Sequence, residues 1–424
     1  MRGLLRSSLM VIIAIFLAAS RTGATAPQFE DRSNKVIPPV YFGMHIHRAD
    51  SSTAWPGREI GSWRLWDAGT LWIDMEPKSG QWDFTKLNRY VAMAALTNTE
   101  IDLPLGMTPE WASARPLEKG VYKPHGDASE PRRIEDWENY VRTVTTRYKG
   151  RIHTYELWNE VNAGTGFFSG TPQALFALHR AAYRIVKEVD PSAVLVSPSG
   201  VGEADHQLAW FENYLSLGAK SYTDVVSYHF YQPRKRPEAI IGLVKKIKAI
   251  AARQGLGDKE LWNTESGYRI ALDQKTAQAV DPTWPELDQQ RAGAYVARAL
   301  ILGWWAGLDR FYWYAWDNSD MGFMNKAGKV EHAGRAFRTV AQWMVGARLS
   351  ACAPNKGVWT CNLNRDGNQS WLVWSEDDTT VQWALPMGIA KSTETLDGNK
   401  YPIPENRLLT ITGSPQLVTT QAAP

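Results

Sequence analysis

Two stretches of the sequence repeat the residues Leu-Trp-Asn and carry a glutamate close behind them. The stretch "YELWNE" ends at Glu160, and "ELWNTES" contains Glu265. Two carboxyl groups that face each other can act as a general acid and a general base when their surroundings give them different pKa values. If the first stretch is a strand, its side chains alternate, so Glu156, Trp158 and Glu160 would share one face. The chemistry therefore depends on a fold that brings Glu160 and Glu265 together.

Short apolar runs rich in β-branched and aromatic residues recur along most of the chain. They span residues 40–47, 62–67, 101–107, 154–160, 193–200, 224–231, 260–267 and 310–317. Several intervals have helical periodicity, and one begins with Thr171 as a predicted N-cap followed by Pro172. This alternation predicts an α/β fold, a (β/α)8 TIM barrel over residues 38–346. An open doubly wound sheet is the alternative, but no glycine-rich phosphate loop follows the first run.

The pattern changes near residue 350, where short strand-like runs replace the helices. We predict a small accessory β-sandwich over residues 350–420, completed by the segment before residue 40, with a hairpin turn at Asp397–Gly398. Cys352 and Cys361 are the only cysteines. In an exported protein such a pair is expected to form a disulfide, with two free buried thiols as the alternative.

Residues 1–26 have the pattern of a secretory signal peptide. Arg2 and Arg6 precede an apolar run that is too short to span a bilayer, and small residues follow it. We expect a secreted or periplasmic protein, with an uncleaved membrane anchor as the alternative. This segment holds three arginines and no acidic residue, so the formal net charge of +3 falls to zero without it. A general role in binding nucleic acid or membranes is therefore not expected.

The position of each glutamate along its strand distinguishes the candidate catalytic residues from a structural one. In a TIM barrel the active site lies at the C-terminal ends of the strands. Glu160 and Glu265 end the fourth and seventh predicted strands, whereas Glu156 lies deeper in the barrel. We predict that Glu156 is a buried structural carboxylate paired with a base from a neighbouring strand, and that Glu160 and Glu265 face each other across the mouth.

Asn-Glu at the end of the fourth strand and Glu at the end of the seventh resemble clan A of the glycoside hydrolases, and family 39 most of all. Segments 63–91 and 106–113, the motifs "SYHFY" and "WYAWD", and the β tail resemble the same clan in the same order. The resemblance implies a retaining glycoside hydrolase with a carbohydrate substrate and without a cofactor or metal. One departure is Val161, because the family usually has proline after its acid/base residue.

The resemblance also implies roles for individual residues. Glu160 matches the acid/base and Glu265 the nucleophile. Asn159 matches a ligand of the sugar 2-hydroxyl, and Arg64 matches a cation that keeps Glu265 ionised. The full set of implied substrate contacts is Asn159, Arg64, His229, Tyr231, Trp316, Trp111, Trp66 and His45. As alternatives, Arg64 could merely neutralise Glu156, His229 could be a satisfied core histidine, and each tryptophan could be a packing residue.

Two other functions fit parts of the sequence. His45 and His47 have the His-x-His spacing with which metal-dependent amidohydrolase barrels begin their site, and His229 and Asp317 would suit it. The fifth strand supplies no histidine, and we see no bridging lysine on the fourth, so the ligand set is incomplete. The second alternative is a non-catalytic sugar-binding barrel. The oligomeric state is not indicated.

The loop after the sixth strand carries a basic run, Arg234-Lys235-Arg236. Three cations at the barrel mouth could bind a uronate or another acidic sugar. The alternative is a solvated basic turn.

Overall fold

The computed structural model describes residues 32–272, 281–385 and 390–420. The predicted signal peptide lies outside these residues. Eight parallel strands form the barrel: β1 (Phe42–His45), β2 (Ser62–Arg64), β3 (Glu100–Leu105), β4 (Thr154–Leu157), β5 (Val194–Val196), β6 (Val225–His229), β7 (Glu260–Ser266) and β8 (Arg310–Trp313). Each strand pairs with its neighbour in chain order, β8 pairs with β1, and Val196 pairs with Val225 between β5 and β6. The predicted TIM barrel is confirmed.

The helices surround this barrel. They are α1 (Trp72–Met75), α2 (Thr85–Thr97), α3 (Ile134–Tyr148), α4 (Pro172–Val189), α5 (Asp205–Ser216), α6 (Ile240–Arg253), α7 (Gln289–Ala306) and α8 (His332–Met344). As predicted, α4 begins at Pro172, and the Thr171 hydroxyl accepts a hydrogen bond from the Ala174 amide at 3.1 Å. Within the described ranges, no helix is long and apolar enough to cross a membrane.

The first interval differs from the prediction, because residues 46–61 contain no helix. Pro56 and Gly57 interrupt this segment, and Gly57 has φ of +132°, a conformation that glycine adopts readily. The loop instead packs Trp55 against Trp63 at a ring-centroid distance of 5.2 Å. An irregular segment therefore connects β1 to β2, where the first helix of the barrel was expected.

The tail is built from antiparallel strands β9 (Arg348–Asn355), β10 (Val358–Arg365), β11 (Asn368–Ser375), β12 (Val381–Ala384), β13 (Ala390–Glu394), β14 (Lys400–Pro402), β15 (Leu408–Ile411) and β16 (Gln416–Thr420). Strands β12 and β15 form a pair, and the other six form one sheet. Buried Val373, Ile411 and Val418 belong to the core between them, which is consistent with the predicted β-sandwich. The predicted disulfide between Cys352 and Cys361 joins β9 to β10.

The tail packs on the barrel through α7. This helix is buried on nearly every side, which is typical of a helix enclosed by other elements. It contacts α6 and α8 in the barrel and β9 in the tail. The N-terminal segment adds one antiparallel bridge between Val36 and Arg348. The tail is therefore fixed against the barrel beside α7, on the side of the loops that follow β6 and β7.

Candidate active site

Arg64, the last residue of β2, lies at the centre of the barrel and is fully buried. Its Nε donates a hydrogen bond to Glu156, its Nη1 donates to Glu265 at 2.9 Å, and its Nη2 donates to Asn159 at 2.8 Å. A guanidinium group has a planar fork of donors, so one cation can orient three side chains from two other strands. Glu156 is paired with a base, as predicted, but that base lies on β2, which is separated from β4 by β3, and not on a neighbouring strand.

Glu160 does not lie on the strand, contrary to the prediction. Strand β4 ends at Leu157, and Trp158 and Glu160 have φ values of +57° and +44°. These left-handed conformations break the alternation, so the Trp158 ring packs outside the barrel near Trp137 at 6.2 Å while Glu160 turns to the mouth. Glu156, Trp158 and Glu160 therefore do not share one face. Such strained positions concentrate at functional sites.

Val161, the departure from the family pattern, has a structural role in this turn. Its amide donates a hydrogen bond to the Ser199 carbonyl at 3.1 Å, and the Glu160 amide donates to the Ser199 hydroxyl at 3.2 Å. Proline has no amide hydrogen and could not make the first of these bonds. The turn that presents Glu160 is thus held by the segment that follows β5.

Glu265 reaches the mouth through an irregularity in β7. Tyr228 pairs with Asn263, but the next residue on β6, His229, pairs with Glu265, so β7 carries one extra residue. This β-bulge lets two successive side chains face the interior: the Thr264 hydroxyl donates to Glu156 at 3.0 Å, and Glu265 accepts from Arg64. Beyond the bulge, a Cβ on Gly267 would lie 2.4 Å from the Tyr314 carbonyl oxygen, so this close approach to β8 requires glycine.

The two glutamates and His229 form one compact group. One carboxylate oxygen of Glu160, one of Glu265 and a ring nitrogen of His229 all lie within 4.8 Å of one another. His229 Nδ1 is 2.9 Å from a Glu160 oxygen and 4.0 Å from a Glu265 oxygen. The Tyr231 hydroxyl donates to the same Glu265 oxygen, at 2.9 Å. The structure therefore brings together the residues predicted on strands four, six and seven.

The electrostatics of this group follow from its burial. Burial raises the pKa of Glu160 to about 7, with Arg64 opposing the rise and Asp67 adding to it. Burial also raises the pKa of Glu265 to about 7, where His229 and Arg64 lower it and Glu160 raises it. Arg64 acts in the expected direction on Glu265, but burial outweighs it. Burial lowers the pKa of His229 to about 4, so its ring is neutral near pH 7.

A cavity of about 850 Å³ opens above the two glutamates. Its lining includes the predicted residues Trp66, Asn159, Glu160, Tyr231 and Glu265. It also includes residues that the sequence did not single out, among them Asp67, Tyr122, Phe167, Trp284 and Tyr314. The Tyr122 hydroxyl donates to one oxygen of Asp67, and the Tyr314 hydroxyl donates to the other at 2.7 Å. Tyr314 follows the last residue of β8, so the strand-end rule could have identified it.

Five predicted substrate contacts do not line this cavity. Arg64 and His229 are fully buried and contact the glutamates instead. The other three are Trp316, Trp111 and His45. The Trp316 ring packs edge-on against Phe323 at 5.9 Å, because β8 ends at Trp313 and Tyr314 takes the position facing the mouth. Trp111 packs near Trp72, and its indole N–H donates to the Glu76 carbonyl at 2.9 Å. His45 is fully buried below the cavity floor, with Nε2 at 3.0 Å from the Thr264 carbonyl oxygen.

The basic run is engaged in contacts with the protein. Lys235 lies 2.5 Å from Glu203, and Arg236 lies 2.5 Å from Asp377. Arg234 and Lys235 line the cavity, but the carboxylates that line it outnumber them: Asp67, Glu160, Glu203, Glu265 and Asp281. The lining thus carries more carboxylates than cations, and the acidic sugar stays a prediction.

The metal-site alternative gains no support from the geometry. Among the residues described, the group of His and carboxylate side chains close enough to share an ion is Glu160, His229 and Glu265. His45, His47 and Asp317 are not part of it. The Asp317 carboxylate accepts hydrogen bonds from the His47 and Arg48 amides, both at 2.9 Å. The His-x-His motif thus serves the structure of the first loop.

The buried contact between Arg64 and Glu156 predicts a large and specific loss of stability. Replacing Glu156 by glutamine leaves the buried guanidinium without its deepest counter-charge, so we expect the free energy of unfolding to fall by about 3–5 kcal/mol. Urea denaturation measures this change. Glu188→Gln is the control. The bidentate contact of Glu188 with Arg142 is exposed and should contribute little to the free energy of unfolding. Equal effects of the two substitutions would contradict the central position of Arg64.

Comparisons with known proteins agree with this geometry. Residues 133–337 match the family model described as glycosyl hydrolase catalytic core. A family 39 glycoside hydrolase from Bacteroides cellulosilyticus WH2 superposes with a TM-score of 0.70 at 16% identity, over 93% of this chain and 83% of that one. A family 39 β-xylosidase from Caulobacter crescentus gives 0.66 at 14% identity, over 94% and 98%.

Similarity to a curated protein is confined to part of the chain. Endo-1,4-beta-xylanase C from Paenibacillus barcinonensis is 25% identical over 143 residues, which are 29% of this chain and 12% of the xylanase. The chain thus spans a small part of that relative's length. The family-model match covers β4 to β8 and the segments between them, which include both glutamates, His229 and Tyr231. The resemblance seen in the sequence is confirmed: residues 133–337 match the glycosyl hydrolase catalytic core, and the fold of the chain is similar to that of solved family 39 enzymes.

Proposed function

We propose that this protein is a retaining glycoside hydrolase, which cleaves glycosidic bonds of an oligosaccharide or polysaccharide by double displacement. The observation that carries the proposal is the approach of Glu160 and Glu265, whose nearest oxygens lie within 4.8 Å. Retaining enzymes hold the two carboxyl groups about 5–5.5 Å apart, whereas inverting enzymes leave about 6.5–9.5 Å for a water molecule. The short distance favours direct attack by a carboxylate.

The hydrogen bonds of the two glutamates assign their roles. Glu265 accepts from Arg64 and from Tyr231, and both bonds stabilise its ionised form. Glu160 faces His229, whose neutral ring can accept a hydrogen bond from a protonated carboxyl. Two carboxyl groups this close do not ionise independently, so one proton is shared by the pair near neutral pH. That proton resides on Glu160, which is therefore the acid, and Glu265 is the nucleophile.

The reaction then takes two steps. Glu160 donates its proton to the leaving oxygen while Glu265 attacks the anomeric carbon, so the glycosidic bond breaks and a glycosyl ester with Glu265 forms. Glu160, now ionised, takes a proton from water, and the resulting hydroxide attacks the same carbon. The ester bond breaks, Glu265 leaves as a carboxylate, and Glu160 is protonated again. No oxidant, cofactor or metal enters this balance.

Other residues would bind and orient the sugar. Arg64 donates a hydrogen bond to the side-chain oxygen of Asn159, so the side-chain nitrogen of Asn159 remains as a donor for a sugar hydroxyl. Trp66, Tyr122 and Phe167 form one aromatic side of the cavity, and Tyr231 and Trp284 form another. Flat aromatic faces suit the apolar faces of sugar rings. The volume of about 850 Å³ supports a substrate of more than one sugar unit. Export from the cell remains a prediction.

Azide rescue separates the roles of the two glutamates. In Glu160→Ala, hydrolysis of unactivated glycosides should fall about 10²- to 10⁴-fold, while aryl glycosides with good leaving groups should still form the ester. Azide needs no base, so it should restore turnover and release a glycosyl azide of retained configuration. The readout is the rate and the anomeric configuration of the azide product.

Two further variants make the azide experiment decisive. Glu265→Ala should lose turnover of every glycoside, and any azide product from it would have inverted configuration. Asp281→Ala is the matched control, because Asp281 is another carboxylate of the cavity lining and should not show azide rescue. A retained azide formed by Glu265→Ala, with an inverted azide formed by Glu160→Ala, would mean that the assigned roles are exchanged.

The raised pKa values predict the pH dependence of kcat/KM. The active form has Glu160 protonated and Glu265 ionised, and both groups have pKa values of about 7. Acidification protonates Glu265 and alkalinisation deprotonates Glu160, so the profile should be bell-shaped with its maximum at or just below neutral pH. Steady-state rates across pH test this. The alkaline limb should disappear in Glu160→Gln assayed with an activated aryl glycoside, and a wild-type rate still rising above about pH 9 would contradict the assignment.

A further inference from the structure

Three consecutive cations after β6 each contact a different segment at the mouth of the cavity. Arg234 donates to the Thr283 carbonyl at 3.2 Å, in the loop that follows β7. Lys235 lies 2.5 Å from Glu203, in the loop that follows β5. Arg236 donates to the Glu376 carbonyl at 2.7 Å, in the tail. We call residues 232–238 the mouth loop and residues 376–378 the tail turn.

These three contacts are exposed and cannot fix the mouth loop by themselves. The side chains of Lys235 and Arg236 are 49% and 43% exposed, and exposed ion pairs contribute little to stability. A stronger anchor is therefore needed to hold the loop where it lines the cavity.

Glu238, at the end of the mouth loop, provides that anchor. It accepts two hydrogen bonds from the fully buried Arg298 of α7, at 2.8 and 2.6 Å, and one from the indole N–H of Trp374 in the tail, at 3.0 Å. The remaining terminal nitrogen of Arg298 donates to Asp378 of the tail turn. Asp378 also accepts from the Tyr295 hydroxyl at 3.2 Å. A buried guanidinium is thus shared between the mouth loop and the tail.

We propose that the β tail is a positioning element of the active site, which holds the mouth loop through Trp374, whose indole binds Glu238, and through the tail turn, which binds Arg236. Gln232, Pro233, Arg234 and Lys235 of this loop line the cavity, and the loop begins directly after Tyr231, which binds Glu265. The tail thereby sets the width of the mouth from a distance, without touching the reacting atoms.

The expected effect on substrates rests on the proposed function, whereas the anchoring of the mouth loop does not. The mouth loop lies at the rim, whereas Glu160 and Glu265 lie on the floor. Loosening the loop should therefore weaken the binding of long oligosaccharides and spare the hydrolysis of a small aryl monosaccharide. A loss of fold would instead affect both substrates together.

The test compares changes at two places where the tail contacts the barrel. Trp374→Phe/Asp377→Asn removes the indole donor to Glu238 and the counter-charge of Arg236, while Glu238 and Asp378 still pair the buried Arg298. Asp397→Asn is the matched control, because Asp397 also joins the tail to the barrel, at 2.9 Å from His332 of α8, away from the cavity lining. Thermal unfolding of both variants confirms that they are folded at the assay temperature.

Hydrogen–deuterium exchange of the full-length chain tests the anchoring without any assumption about function. The Lys235 and Ala239 amides donate to carbonyls of the mouth loop at 3.0 Å, so they report its opening. We expect their exchange to be about tenfold faster in the double variant and unchanged in Asp397→Asn. Unchanged exchange in the double variant would overturn the proposal, whatever the enzyme hydrolyses.

Kinetics then test the consequence for binding. In the double variant, KM for a long oligosaccharide should rise about fivefold, while kcat and the aryl monosaccharide rates stay within about twofold of wild type. Equal losses on both substrates, or the same KM rise in Asp397→Asn, would overturn the positioning role. If the wild-type enzyme hydrolyses no glycoside, the proposed function fails, and the exchange measurement alone decides whether the tail holds the loop.

Discussion

A guanidinium enclosed in the barrel is the constraint on which the site depends. A buried charge is tolerated only when it is paired and hydrogen-bonded, and Arg64 meets this condition through Glu156 below it, Asn159 beside it and Glu265 above it. The three partners come from the segments that follow or form β4 and β7, so satisfying one cation fixes the relative positions of these strands at the mouth. Asp102 lies in the same interior, where burial raises its pKa well above the usual range.

Local irregularities then turn the two glutamates toward each other. Strand geometry alone would leave Glu265 facing outward next to Thr264, and the bulge in β7 turns it inward. Left-handed backbone at Trp158 and Glu160 ends the alternation of β4 and brings Glu160 against His229. The regular barrel and the irregular strand ends contribute differently to the site. The barrel supplies a buried counter-charge, and the irregular ends place two carboxyl groups close enough to share a proton.

Much of this was predictable, because strand ends in a barrel converge on one mouth. The strand-end rule predicted Glu160 and Glu265 at the mouth, the family resemblance added His229 and Tyr231, and burial logic predicted that Glu156 is paired. The resemblance failed at Trp316, because β8 ends at Trp313, four residues before the end of its predicted run, and Tyr314 occupies the mouth. Asp67 ends the second predicted run and was not singled out, and Trp284 reaches the cavity from a loop. The run from Arg234 to Arg236 appeared to bind an acidic ligand, since its partners Glu203 and Asp377 are distant in sequence.

The stereochemistry of the first product tests most directly whether Glu265 forms a bond to the sugar. Proton NMR spectra recorded during hydrolysis by the wild-type enzyme show the anomer released before mutarotation mixes the two forms. Double displacement inverts the anomeric carbon twice, so the account predicts that the first product has the configuration of the substrate. A first product of opposite configuration would show that water attacks directly, which would contradict the assignment of Glu265 as a nucleophile.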